Sequence, residues 1–174
     1  MDSLLPALKF LANDENGQVK IALLNQFTPM VALITENFGE MGYQSICSTV
    51  FPLINKLLYD DLKDVRDKAI EVVAEIRTVV KDDWKEHVMS YSLGMAHDQN
   101  DQLRESAVEL LNEISPDMGQ LINESFIVNE FRALSMDEHP NVRSAIVKNL
   151  NNVSKQVSVD VFENLVFPLY DRLT

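Results

Sequence analysis

The chain has 174 residues, of which 46% are apolar, enough for a core, with only 6 Pro and 5 Gly, which leaves little room for long loops. Its 15 Lys and Arg stand against 27 Asp and Glu, a net charge of −12. That balance disfavours nucleic acid and anionic membrane, which need a basic footprint, and favours basic partners.

The first predicted helix pair spans about 3–37, with helices near 4–13 and 18–36 and the turn Asp14-Glu-Asn-Gly-Gln-Val19-Lys20 between them. The second spans about 44–80 and shows the pattern best. Phe51, Ile54, Leu57 and Leu58 precede its turn, and Val65, Ala69, Val72, Val73 and Ile76 follow it. Steps of three and four put each set on one helical face. The intervening Asp60-Asp-Leu-Lys-Asp64 has room only for a tight turn, and Asp64 is placed to cap the helix that follows. Gln18, Gln102 and Asn141 hold the equivalent position. The third pair spans about 83–116, turns at Asp98-Gln-Asn-Asp-Gln-Leu103-Arg104 and is closed by Ser115-Pro116. The fourth spans about 119–156 and turns at Asp137-Glu-His-Pro-Asn-Val142-Arg143, where Pro140 helps to stop the preceding helix. A partial fifth covers 159–174.

In all four turns an Asp stands five positions before a branched apolar anchor, and a cation follows that anchor directly. The anchors are Val19, Val65, Leu103 and Val142, so the motif returns at a nearly even interval. A period near 40 with helical flanks marks stacked helix pairs, so the expected fold is all-α, an α–α superhelix of one continuous array. Proline keeps the same register: Pro6 precedes Val19 by the same offset as Pro52 precedes Val65, and Phe51-Pro-Leu53 recurs as Phe167-Pro-Leu169. The anchor belonging to Pro168 would fall beyond the last residue, which leads us to expect a piece of a longer array.

Phe51-Pro-Leu-Ile-Asn-Lys-Leu-Leu-Tyr-Asp60, followed by Asp64-Val-Arg-Asp-Lys-Ala-Ile-Glu-Val-Val73, resembles the HEAT repeat. Leu8-Lys-Phe-Leu-Ala-Asn-Asp14 and Met136-Asp-Glu-His-Pro-Asn-Val-Arg143 support the likeness, which extends over the whole chain. It is similar to the HEAT arrays of scaffold and regulatory subunits of protein phosphatases of the 2A and 4 type. That resemblance implies a non-catalytic scaffold, with first helices on a convex side, second helices on a concave side and the turns as a partner-binding ridge. It also implies a ladder between successive repeats built from Asp14, Lys20, Asp60, Arg66, Asp98, Arg104, Asp137 and Arg143. Lys20 departs from Arg there, and a point charge holds fewer acceptors than a planar guanidinium, so the first junction is expected to be looser.

Two surfaces are candidates for partners. Asp67, Glu71 and Glu75 follow Val65 at the same offsets at which Glu105, Glu109 and Glu113 follow Leu103. Steps of four keep each trio on one face, and the first member, two positions after its anchor, lies about 200° from that buried residue and therefore toward solvent. Stacked helices pack about 10 Å apart, which would set the two stripes side by side. Either these are solvated faces of an acidic protein, or they form an acidic patch for a basic segment, as in an importin-like adaptor. The stretch from Asp98 to Glu138 holds 10 acids and 2 bases, which strengthens the local field. The second surface is the turn ridge: Leu62, Lys63, Gln99, Asn100, Glu138 and His139. Leu62 is apolar at a tip, and either packs on the neighbouring turn or meets a partner.

Chemistry is poorly provided for, so an enzyme, cofactor, metal or small-molecule substrate is not expected. Asp60, Asp61, Asp64 and Asp67 lack the spacing of a calcium loop, and His87, His97 and His139 lack the spacing of a zinc site. Cys47 is a lone thiol that forbids an internal disulfide and suits a reducing compartment, the cytoplasm or nucleus. Trp84, after Asp82-Asp83, is placed to pack between repeats. Asn123-Glu-Ser125 and Asn152-Val-Ser154 match the glycosylation sequon by chance, inside predicted helices. No run reaches the roughly 18 apolar residues of a membrane span, and Met1-Asp-Ser-Leu-Leu-Pro6 lacks the basic start of a secretory signal.

Overall fold

The computed structural model describes residues 4–78, 80 and 84–173; Met1, Asp2, Ser3, Asp82, Asp83 and Thr174, included in the stretches above, lie outside them. Among the described residues there is no strand, and the fold is all-helical, of the α–α superhelix class. The helices are α1 (Leu4–Leu11), α2 (Gly17–Ser45), α3 (Phe51–Leu58), α4 (Lys63–Ile76), α5 (Trp84–Ala96), α6 (Asp101–Ile122), α7 (Val128–Leu134), α8 (Pro140–Ser154), α9 (Val159–Val161) and α10 (Phe167–Leu173). Among the described residues three π-helical turns, Ile46–Val50, Asn123–Ile127 and Phe162–Val166, lead into α3, α7 and α10. The chain divides into two compact units, Met1–Val88 and Met89–Thr174.

In the N-terminal unit α2 packs on α4, and α3 and α1 flank them. The core holds Leu24, Phe27 and Val31 from α2, together with the side chains picked out by helical spacing, Phe51, Ile54, Leu57 and Leu58 on α3 and Val65, Ala69, Val72, Val73 and Ile76 on α4. In the C-terminal unit α6 packs on α8, with α7 and α10 beside α8. Its core contains Ala107, Leu110, Leu111 and Ile114 from α6, Phe131 from α7, and Val142, Ile146 and Leu150 from α8. Trp84 opens α5 and is buried.

Several boundaries differ from the expected ones. The helix expected to end near 36 breaks at Gly39, at φ 50° and ψ −128°, and a further helical stretch runs on to Ser45. Ser115-Pro116 does not close the third repeat. Pro116 lies inside α6, and the chain turns instead at Gly119, at φ 74° and ψ 162°. A proline costs one N–H bond and strains the preceding turn without reversing the chain. A positive φ redirects it, and glycine adopts one without Cβ strain. Across this break Asn123, fully buried, donates from Nδ2 to the carbonyls of Ser115 (2.8 Å) and Gly119 (2.9 Å) and accepts from Ser115 Oγ (2.6 Å). A glycan on Asn123 would have to displace that network.

The π-turns have a local cause in two of three cases. The Phe51 N–H reaches back five residues to the Ile46 carbonyl, and Phe167 does the same to Phe162. Each is followed by a proline, Pro52 or Pro168, whose ring would crowd the carbonyl four residues back in an α-helix. The third π-turn precedes Asn129, so proline is not required for it.

Candidate functional site: turns, acidic faces and an open groove

The four Asp turns share one backbone device. Each Asp accepts, through Oδ1, the N–H two residues on: Asp14 from Asn16 (2.8 Å), Asp60 from Leu62 (3.1 Å), Asp98 from Asn100 (2.8 Å) and Asp137 from His139 (2.8 Å). The residue so held is the helix N-cap. The caps are therefore Asn16, Leu62, Asn100 and His139, two residues earlier than the expected Gln18, Asp64, Gln102 and Asn141. Asn16 and Asn100 also cap by side chain, accepting from Gln18 and Gln102 N–H. The competing principle is the Asx turn, in which a short polar side chain imitates a backbone turn and sets where the helix begins.

In three of the four turns the arginine after the anchor ties the turn from inside. Arg66 Nη1 donates to the carbonyls of Asp60 (2.8 Å) and Asp61 (3.0 Å), and Arg104 Nη1 to those of Asp98 (2.9 Å) and Gln99 (3.0 Å). Arg143 Nη1 does the same for Asp137 (2.7 Å) and Glu138 (2.9 Å). These bonds go to the carbonyls of the cation's own turn. Carboxylates are met across repeats. Lys20 Nζ lies 2.6 Å from Asp60 Oδ2. Arg104 clamps Asp137 with Nε on Oδ2 (2.6 Å) and Nη2 on Oδ1 (2.9 Å). One guanidinium thus holds its own turn and the next turn at once, which a lysine ammonium with no planar fork does not match.

The Arg104–Asp137 pair is nearly enclosed, its side chains 11% and 7% exposed. The hydrogen bond from Arg104 holds the Asp137 carboxyl below the usual carboxylate range, against the opposing effect of burial. The same bond raises Arg104 further. Farther along, the Ser158 N–H donates to Glu124 Oε1 at 2.7 Å and lowers the Glu124 carboxyl, which ties the start of α9 to the preceding repeat.

The two acidic trios are in different surroundings. Asp67, Glu71 and Glu75 are exposed on α4, but each has a partner: Lys63 lies 3.0 Å from Asp67, Lys68 lies 3.0 Å from Glu71, and Thr28 Oγ1 donates to Glu75 at 2.6 Å. Glu105, Glu109 and Glu113 are half-buried, where an open face was expected. The reason lies in α6 itself, which also buries Arg104, Ser106 and Val108 and so is covered over much more of its circumference than one apolar stripe.

The turn-ridge residues divide as well. Leu62 is 46% exposed, yet a Cβ added to Gly17 would stand 2.7 Å from its Cδ1, so Leu62 rests on the first turn where Gly17 has no side chain. Lys63 is engaged with Asp67, and Asn100 with Gln102. Gln99, Glu138 and His139 are exposed, and His139 lies between Asp101 (3.6 Å) and Glu138 (3.7 Å). The pattern reading missed two features. His97 lies 3.3 Å from Glu130, and a groove of about 760 Å³ opens along α1 and α2 beside Leu8, Leu11, Val19, Leu23, Met30 and Leu33. Among the described residues no group of three His, Cys, Asp or Glu is placed to hold a metal ion, and no helix is long and apolar enough to cross a membrane.

No protein-family model matches this sequence, and no curated protein sequence matches it. Solved structures do. An engineered protein from a structural-genomics effort superposes with a TM-score of 0.54 at 12% identity, covering 97% of this chain and 71% of the other. A second engineered protein gives 0.50 at 11% identity, covering 97% and 67%. A designed armadillo repeat protein gives 0.43 at 13% identity, covering 97% and 90%. At such identities the first two likenesses show the fold alone.

Proposed function

We propose that the chain is a non-catalytic scaffold that binds a serine/threonine protein phosphatase of the 2A or 4 type, and its partners, through its turns and second helices, in the cytoplasm or nucleus. The observation that carries this reading is the repeated turn, Asp followed five residues later by an anchor and then a cation, within stretches that resemble the HEAT repeats of phosphatase regulators. The fold supports it in a general way, since stacked helix pairs present extended binding surfaces and position partners without chemistry of their own. The rival, an acidic surface for a basic segment, is weakened on α4. There Lys63, Lys68 and Thr28 already engage the three acids.

The test is retention. Immobilised chain, incubated with purified catalytic subunits of the 2A and 4 types at physiological salt, retains at least one of them, and reversing Lys63 and His139 to Glu lowers that retention. Failure to retain either subunit, with the immobilised chain still helical by circular dichroism, overturns the proposal.

A further inference from the structure

Leu121, two residues past the break at Gly119, is 79% exposed. It lies inside the C-terminal unit, between the main run of α6 and α7, with described helices before and after it. One exposed leucine is ordinary on a protein surface. The surroundings of this one are not.

Glu124 stands one helical turn on from Leu121, on the same side. Its Oε1 accepts the Ser158 N–H (2.7 Å) and Gln120 Nε2 (2.9 Å), while its Oε2 has no hydrogen-bond partner among the described residues. Those bonds, the one from Ser158 foremost, hold the carboxyl below the usual carboxylate range, so it is charged at neutral pH. The Ser158 bond also brings the start of α9 to this edge, where Val159, the next residue, is 73% exposed. A fixed carboxylate with one oxygen to spare thus stands beside two apolar tips. The sequence has no Lys or Arg from 105 to 131 or from 156 to 171, and Asp117, Asp160 and Glu163, all exposed, add to the negative field. Lys155 is the nearest base in sequence.

We propose that this edge docks a basic amphipathic segment of another protein, its apolar side on Leu121 and Val159 and a Lys or Arg on Glu124 Oε2. Charge complementarity selects this occupant. An anionic bilayer is repelled by the same carboxylates. A second copy meeting this edge symmetrically would set Glu124 against Glu124. The site lies at the far end of α6 from the Asp98 turn, roughly 27 Å along the axis from Asp101 to the break at Gly119. It therefore stands or falls apart from the phosphatase reading, which rests on the Asp turns.

Fluorescence anisotropy with a labelled synthetic peptide tests this. The probe, roughly 18 residues long, carries Leu and Lys at helical spacing. Two control peptides replace its Lys by Glu or its Leu by Ser. The full chain is expected to bind the probe saturably, more weakly as salt rises, and to bind neither control. L121S alters an exposed side chain and weakens binding at least about fivefold. E124Q keeps an acceptor for the Ser158 N–H but loses the charge, and weakens binding at least about threefold. E15Q, the same charge change on an exposed acid of the N-terminal unit, leaves binding as in wild type. Circular dichroism checks that each variant is as helical as wild type. No saturable binding, or binding indifferent to L121S, overturns the proposal. Equal weakening by E124Q and E15Q overturns it too, since the probe then senses net charge alone. So does a wild-type chain that sediments above its monomer mass of 19.8 kDa while L121S does not, which makes a second copy the occupant.

Discussion

Arg104 and Asp137 show how one residue pair serves two levels of structure. The carboxylate receives Nε and Nη2 of Arg104 while its Oδ1 also holds the His139 N–H that starts α8. Removing it unpairs an enclosed guanidinium and uncaps a turn together. Asp137→Ala is expected to cost about 2–3 kcal/mol in denaturant melts, near what breaking an enclosed charged hydrogen bond typically costs. Asp137→Asn keeps the shape and shows the charge in the pH dependence. The folded carboxyl titrates below its unfolded value of 3.8 because Arg104 bonds the charged form. Its stabilisation is therefore complete above the unfolded value and is lost as pH falls through the lower, folded one. Wild type is expected to be the more stable at neutral pH, and the gap to D137N should close as pH falls below about 4. A gap that stays constant down to acid unfolding would mean that the carboxylate charge contributes nothing. The sequence made the Asp and the cation visible as a pair, because their spacing recurs. It did not reveal which turn each cation serves, since that depends on a neighbour one whole repeat away in sequence and on which guanidinium nitrogen faces it.

At the scale of elements, the helix pairs and turns were legible because apolar steps of three and four cover long stretches and the turns recur. The helices start two residues earlier than that spacing suggests, since Asp14-Glu-Asn16 and Asp98-Gln-Asn100 are Asx turns that end on a capping asparagine. For the break after the third repeat the pattern points to Pro116, yet Gly119 makes it. Gly119 lies at φ 74° with nothing within 4 Å of an added Cβ, so its requirement is conformational and not steric. Gly119→Ala is expected to cost about 1 kcal/mol or more, the penalty for a positive φ in an L-residue. Gly119→Asn should recover part of it, because Asn tolerates that region better. Thermal melts of the three proteins check this. Equal midpoints for Ala and Gly would show that the break does not need its glycine. The acidic trios illustrate the same limit of pattern. Offsets from an anchor place Glu105, Glu109 and Glu113 on one face, yet they do not tell that α6 is covered on more than its apolar side.

At the scale of the molecule, the division at Val88 and Met89 falls inside α5, which begins at Trp84 and ends at Ala96. In a stack of helix pairs, stability is close to a sum of terms within repeats and between neighbours, so part of the array can hold together if its own core is complete. The C-terminal unit meets that condition. Ala107, Leu110, Leu111 and Ile114 pack with Phe131, Val142, Ile146 and Leu150 inside it, and its charged clamp, Arg104 on Asp137, is internal as well. Its own buried network at Asn123 is also self-contained. A fragment spanning 84–174, cut so that α5 stays whole, is therefore expected to be helical by circular dichroism and to unfold in one cooperative step, at a lower temperature than the full chain. The same fragment carrying Arg104→Ala should melt lower still, because the junction between its two helix pairs loses both arms of the clamp. A featureless spectrum, or a gradual melt indifferent to Arg104, would show that the core of this unit depends on residues before Trp84.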